Sequence, residues 1–187
     1  MALEHALLVA LRERPAAGLD LARRFDASIG YFWTATHQQV YRVLGRMERD
    51  GWVTSRVVPQ EGRPEKKEYA VTTLGETVLA DWLAQPLQRD PVRSAVAVTL
   101  RGASYGDRDT VLAHVEELIA DHRTRHAAYT AMAARDYPDP TALSGQALDQ
   151  YLVLRGGLLM EETWIAWLTE YAAAHRPAHR TAAQEPR

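Results

Sequence analysis

The run YFWTATHQQVYRVLGRMERDGWV, positions 31–53, decides the fold. Thr36 followed three residues later by Gln39 is a capping box, in which hydroxyl and amide each satisfy a backbone N–H at a helix start. The helix opened there is expected over about 37–50, where Asp50-Gly51 stops it. Stepped by about 100° per residue, Val40, Val43, Leu44 and Met47 share one side, and Gln38, Tyr41, Arg42, Gly45 and Arg49 share the other. The first side suits a core; the second stays polar, for solvent or for a partner.

Upstream, Leu3, Ala6, Leu7, Ala10 and Leu11 recur at helical spacing, and Pro15 with Gly18 closes that helix. A short second helix over 19–25 carries Leu21, Ala22 and Phe25, with a turn at 26–30. Downstream, two β-favouring runs, 52–58 and 66–72, are joined by the turn-rich PQEGRP at 59–64. Three helices followed by a hairpin with basic residues at its tip form a winged helix-turn-helix, whose third helix enters the DNA major groove while the hairpin, the wing, approaches the flanking backbone. Thr73 is expected to cap a further helix carrying Val78, Leu79, Trp82 and Leu83, which QPLQRDP at 85–91 interrupts.

The second half reads as helical. An apolar segment at 92–100 leads through Gly102 and Gly106 to a long helix over about 107–135. There Val111, Val115, Leu118, His122, Arg125, Tyr129 and Met132 follow the alternating four- and three-residue steps of a seam along another helix. Pro138-Asp139-Pro140 ends it, and a last helix is expected over 144–174. The Ala-, Pro- and charge-rich stretch 175–187 has no apolar periodicity and is expected to be disordered. The expected organisation is mainly α: a winged helix-turn-helix at 1–85, a linker at 86–91, a helical dimerisation domain at 92–174, and the tail.

Composition removes whole classes of function. With 47% hydrophobic and 25% charged residues and no apolar run of about 18, the chain is not a membrane protein, and the absence of an export signal points to the cytoplasm. With no cysteine, thiolate catalysis and Cys-ligated metals are excluded. There is no nucleophile elbow or phosphate loop, and the neighbouring pairs Glu116-Glu117 and Glu161-Glu162 diverge by about 100° on a helix, so neither makes a carboxylate dyad. An enzyme is therefore not expected, and no cofactor is implied. The net charge of −2 means that nucleic acid must be met by a local patch. One exists at 42–67, where Arg42, Arg46, Arg49, Arg56, Arg63, Lys66 and Lys67 outnumber Glu48, Asp50, Glu61 and Glu65. The competing reading is a winged helix used only as a protein–protein scaffold, which would need no such patch and no steep salt dependence.

The run at 31–53 together with EGRPEKKEYAVTTLGETVLADWL at 61–83 resembles the PadR family of bacterial transcriptional regulators. The likeness rests on the aromatic segment before the third helix, Gln39-Val40-Tyr41-Arg42 within it, Gly51-Trp52 leading into the wing, and Gly62-Arg63-Pro64, Tyr69 and Thr72-Thr73-Leu74-Gly75 leaving it. The ending Glu161-Glu162-Thr163-Trp164-Ile165-Ala166-Trp167-Leu168 is similar to that of the family's longer members. The resemblance implies a homodimeric repressor that releases operator DNA on sensing a small molecule.

On this reading the DNA-binding set is Thr36, His37, Gln38, Gln39, Tyr41, Arg42 and Arg46 on the third helix, with Arg63, Lys66 and Lys67 on the wing. Glutamine can pair bidentately with adenine, but at Gln39 the cap competes for the same amide. Arg42 and Arg46 reach guanine or phosphate, and the Tyr41 hydroxyl can donate to a phosphate even if its ring is partly buried. The wing's glutamates weaken its positive charge. Apolar residues occupy more than one face of the last helix, which calls for a second copy of the chain as cover, with Leu158, Trp164, Ile165, Trp167 and Leu168 as the dimer seam and Gly156-Gly157 allowing either close approach or a kink. Trp82, Tyr129 and Trp164 are candidates to line a site for a small aromatic effector between the two regions, against a purely structural role for the same rings. His122 and His126 stand one turn apart, a spacing that holds a metal only with a third ligand; none is identifiable, so no metal is expected.

Overall fold

In the computed structural model, residues 3–27, 35–59, 66–87 and 93–175 are described. They fall in two compact units, Met1–Arg89 and Asp90–Arg187. The aromatic run at 31–33, most of the wing tip including Arg63, most of the expected linker and the tail beyond 175 lie outside the described residues.

In the first unit, apolar residues recurring at helical spacing make α1 (Leu3–Glu13), α2 (Gly18–Ala27) and α3 (His37–Arg49). They bury Leu7, Leu8 and Leu11 from α1, Leu21 and Ala22 from α2, and Val40, Val43, Leu44 and Met47 from α3 in one core. The wing follows as β2 (Val53–Val58) and β3 (Lys66–Val71), antiparallel with Val53 opposite Val71 and Val58 opposite Lys66. A two-residue strand, β1 (Ala16–Ala17), pairs with β3 and gives the order β1-β3-β2. Two residues are too few to show alternation, so this strand has no signature in sequence. Val53, Tyr69 and, from α4 (Thr73–Leu83), Leu79 close the core. The architecture is mainly α with a small sheet, a winged helix followed by a helical unit.

The helix after the wing is capped by Thr72, not by Thr73 as expected. Thr72 Oγ1 accepts from Gly75 N at 3.1 Å and donates to Gly51 O at 2.6 Å, while Thr72 N donates to Trp52 O at 3.1 Å. This brings Gly75 so close to the strand that a Cβ there would run into the Trp52 carbonyl, with Trp52 C at 3.0 Å and Val71 Cγ1 at 2.9 Å. The Thr-x-x-Gly spacing is thus a packing requirement. Although alanine favours a helix by about 1 kcal/mol over glycine, Gly75→Ala should destabilise the first unit by about 1–3 kcal/mol through overpacking against backbone. Chemical denaturation checks this, and a variant as stable as the parent would contradict the close approach.

In the second unit, the apolar segment resolves into a helix, α5 (Ala95–Gly102), capped by Ser94. After a 3-10 turn at Ala103–Tyr105, α6 (Arg108–Asp136) begins at its Asp107 cap, and α7 (Gly145–His175) packs along it. Leu100, Val115, Ile119, Leu168 and Ala172 form the core, and Tyr171 Oη donates to Leu100 O at 3.0 Å. Of the expected seam on α6, Val115, His122 and Tyr129 are buried and Arg125 is exposed. Helix α7 runs unbroken through Gly156 and Gly157.

Candidate nucleic-acid interface

The start of α3 is organised by its own first residues. Thr36 takes an extended backbone (φ −73°, ψ 153°), its Oγ1 accepts from Gln39 N at 3.2 Å, and its N donates to Gln39 Oε1 at 2.8 Å. Thr36 and the Gln39 amide oxygen are therefore committed to the cap. His37, Gln38, Tyr41 and Arg42 are exposed on the turns that follow, and none of their side chains makes a hydrogen bond or ion pair with a described residue. The Tyr41 ring is 47% exposed, opposite a row of buried Val40, Val43, Leu44 and Met47.

Of the other predicted DNA contacts, Arg63 lies outside the described residues, and Arg46, Lys66 and Lys67 are engaged within the chain. Arg46, itself about half exposed, is ion-paired to Glu4 of α1, which is only 5% exposed, so the guanidinium neutralises a buried carboxylate. Lys66 Nζ lies 2.8 Å from Asp20 of α2, and Lys67 Nζ lies 2.7 Å from Glu48 of α3 and 5.3 Å from the centre of the Tyr69 ring. Ser55 donates to the second oxygen of Glu48. The Lys67 and then the Ser55 hydrogen bonds hold the Glu48 carboxyl below its ordinary range, and the same Glu48 bond raises the Lys67 ammonium. These contacts fasten the wing, from mid-strand to the end that leads into its tip, to α2 and α3. Glu4 had a sequence signal, since it stands on the same helical face as Leu7, Leu8 and Leu11 and so is carried into the core. Asp20 and Glu48 had none.

In the second unit the expected dimer seam divides. Leu158 and Leu168, 7% and 0% exposed, belong to the interior of their own chain, because α6 covers that side of α7. Trp164 and Ile165 are half-buried and Trp167 is exposed. A different stripe is open: Leu152, Val153, Leu159, Met160 and Trp167, nearly opposite Leu154, Leu158, Leu168 and Ala172 at about 100° per residue.

The effector candidates are each placed within one unit. Trp82 of α4 stacks on His5 of α1, with centroids 4.5 Å apart and planes at 10°. Trp164 stacks on His122 at 5.3 Å and 6°. His122 Nδ1 lies 2.5 Å from Glu161 Oε2, and Arg125 Nε is 3.3 Å from Glu161 Oε1. Tyr129 is buried beside this group, and burial, then the Glu161 charge, raises its phenol above the ordinary value. His126 faces Glu162 at 3.4 Å, so both imidazoles of the spaced pair meet carboxylates of α7.

Comparison with known proteins extends over both units. The family model described as the PadR-like transcriptional regulator family matches residues 7–81, and one described as the virulence activator alpha C-terminus matches residues 92–176. A probable transcriptional regulator of Mycobacterium tuberculosis, Rv1176c, is 48% identical over 184 residues, 93% of this chain and 97% of that protein. The virulence activator AphA of Vibrio cholerae superposes with a TM-score of 0.74 at 35% identity, over 92% of this chain and 96% of its own. Bacillus subtilis PadR has been solved with operator DNA (TM-score 0.79, 25% identity, 93% and 99% covered) and with p-coumaric acid (0.73, 23%, 93% and 98%).

Proposed function

The chain belongs to the PadR-like family of transcriptional regulators, and on that premise we propose that it is a cytoplasmic homodimeric repressor that reads operator DNA through α3. The observation that carries the reading is the division of labour on α3. Its apolar residues fill the core, Gln39 and Arg46 are tied to partners within the chain, and the side chains of His37, Gln38, Tyr41 and Arg42 are exposed with no hydrogen bond or ion pair to a described residue. A recognition helix presents its N-terminal residues to base edges in this way, while the wing lies against the flanking backbone. No helix among the described residues is long and apolar enough to cross a membrane.

Fragments selected from genomic DNA by the purified protein, then footprinted, supply the operator for the test. Gln38→Ala should relax preference at one base position, a loss of about 1–3 kcal/mol of discrimination. Arg42→Ala should weaken binding to all sequences and lower the slope of log affinity against log salt by about one. Unchanged binding in both variants would remove α3 from the interface.

Within the first unit, residues 1–85 are the DNA-reading domain, and within the second, residues 92–174 are the pairing domain. Two half-sites about one helical turn apart require two copies related by a two-fold axis. The open apolar stripe of α7 supports pairing there, because Leu152, Leu159 and Met160 are each about half exposed in the single chain.

A small aromatic effector releases the repressor. Supporting this are the aromatic side chains left partly accessible, Trp82 on α4 and Trp167 beside Trp164 on α7. Induction requires the effector to favour the DNA-free state, and a shift from 1:99 to 99:1 needs about 5.5 kcal/mol of differential affinity. Titration of aromatic acids such as p-coumaric acid should therefore change tryptophan fluorescence and release operator over the same concentrations. Quenching with operator affinity unchanged would reject release by that compound.

A further inference from the structure

We infer that Gly18 is a positioning residue for DNA recognition: having no side chain, it seats the Tyr41 ring against the start of α2 and so sets the direction in which the phenol hydroxyl leaves α3. The inference rests on the reading of α3 as the DNA-facing helix. Gly18 is buried and opens α2, and its backbone is ordinary; among the described residues the positive-φ glycines are Gly51 (75°) and Gly145 (55°). Conformation therefore does not call for glycine at this position. Space does, since a Cβ built on Gly18 would collide with Tyr41 Cε1, and would lie 3.0 Å from Tyr41 Cζ and 3.1 Å from Tyr41 Cδ1. The three nearest atoms all belong to that one ring.

The obstacle is half-exposed, not backbone, and it stands on the same outward face as Gln38 and Arg42. An added methyl group is thus accommodated by swinging the ring away, which leaves the core in place and moves the hydroxyl. Tyrosine donates to phosphate without carrying charge, so its contact adds affinity and register but releases no counterion. This separates the Gly18–Tyr41 pair from Arg42, whose loss lowers the salt slope.

The test uses the full chain and its operator, with Gly18→Ala, Tyr41→Phe, the double variant and Arg42→Ala, each measured at several salt concentrations and by thermal melting. Gly18→Ala and Tyr41→Phe should each weaken binding about tenfold, the strength of one hydrogen bond to a charged group, with the salt slope of the parent. The double variant should bind no more weakly than Tyr41→Phe alone, and Gly18→Ala should melt with the parent. The inference is overturned if Gly18→Ala binds like the parent, if its loss persists in the Tyr41→Phe background, or if it melts well below the parent, since the glycine would then serve the fold. Silence of Arg42→Ala as well would instead bring down the underlying reading of α3.

Discussion

Leu168→Glu should abolish the folded helical unit, whereas Met160→Glu, on the same helix, should leave it folded and monomeric. Leu168 is fully buried among Leu100, Val115, Ile119 and Ala172, where a glutamate finds no counter-charge. An unpaired buried charge costs about 3–5 kcal/mol, a large part of the roughly 5–15 kcal/mol that holds a typical domain together. Met160 is 48% exposed, so in a single chain its replacement meets water and costs little. Between two copies the same carboxylate would be desolvated on both sides of a symmetric interface. Circular dichroism and sedimentation distinguish the outcomes. A folded Leu168→Glu chain would contradict the packing of α6 on α7, and a dimeric Met160→Glu chain would move the interface off the open stripe of α7.

Arg46→Ala should destabilise the first unit by about 2–3 kcal/mol, below the roughly 3–5 kcal/mol of breaking a fully buried pair because the arginine is itself half exposed. The carboxylate left behind, Glu4, is 5% exposed and has lost its counter-charge. Glu4→Gln in the same chain should recover part of the loss, since a neutral amide is easier to bury than a lone charge. Operator binding should fall only as the folded fraction falls, with the salt slope of the parent. An Arg46→Ala protein of unchanged stability and a slope lower by about one would instead make Arg46 a phosphate contact.

The difference between these arginines shows where sequence reading stops. Thr36 and Gln39 lie within one helical turn, so their mutual bonds follow from spacing alone and were legible. Arg42 and Arg46 look alike in sequence; they separate only because Glu4, on another helix, arrives beside one of them. Lys66 and Lys67 follow the same pattern, because their charge is evident but Asp20 and Glu48 are brought to them by the packing of α2 against β3 and of α3 against β2. Thr72 and Thr73 are chemically equivalent candidates for a cap, and the carbonyls of Gly51 and Trp52 decide between them. On α7, a surplus of apolar positions was readable as two-sided burial. Which side belonged to the chain's own core required α6, and this turned Leu158 and Leu168 inward and left Leu152 and Met160 outside.

The capping box at the start of α3 also limits how the protein could be retargeted. Because the Gln39 amide oxygen is bonded to the Thr36 N–H, substitution at 39 in search of a new base preference forfeits part of a cap worth about 1 kcal/mol. The same holds for Thr36 itself. A randomised library aimed at a different operator should therefore vary positions 37, 38 and 42 and keep 36, 39 and 41 as they are, a set small enough to be sampled completely in one selection. Natural divergence of operator sequence among close relatives would be channelled through the same few letters.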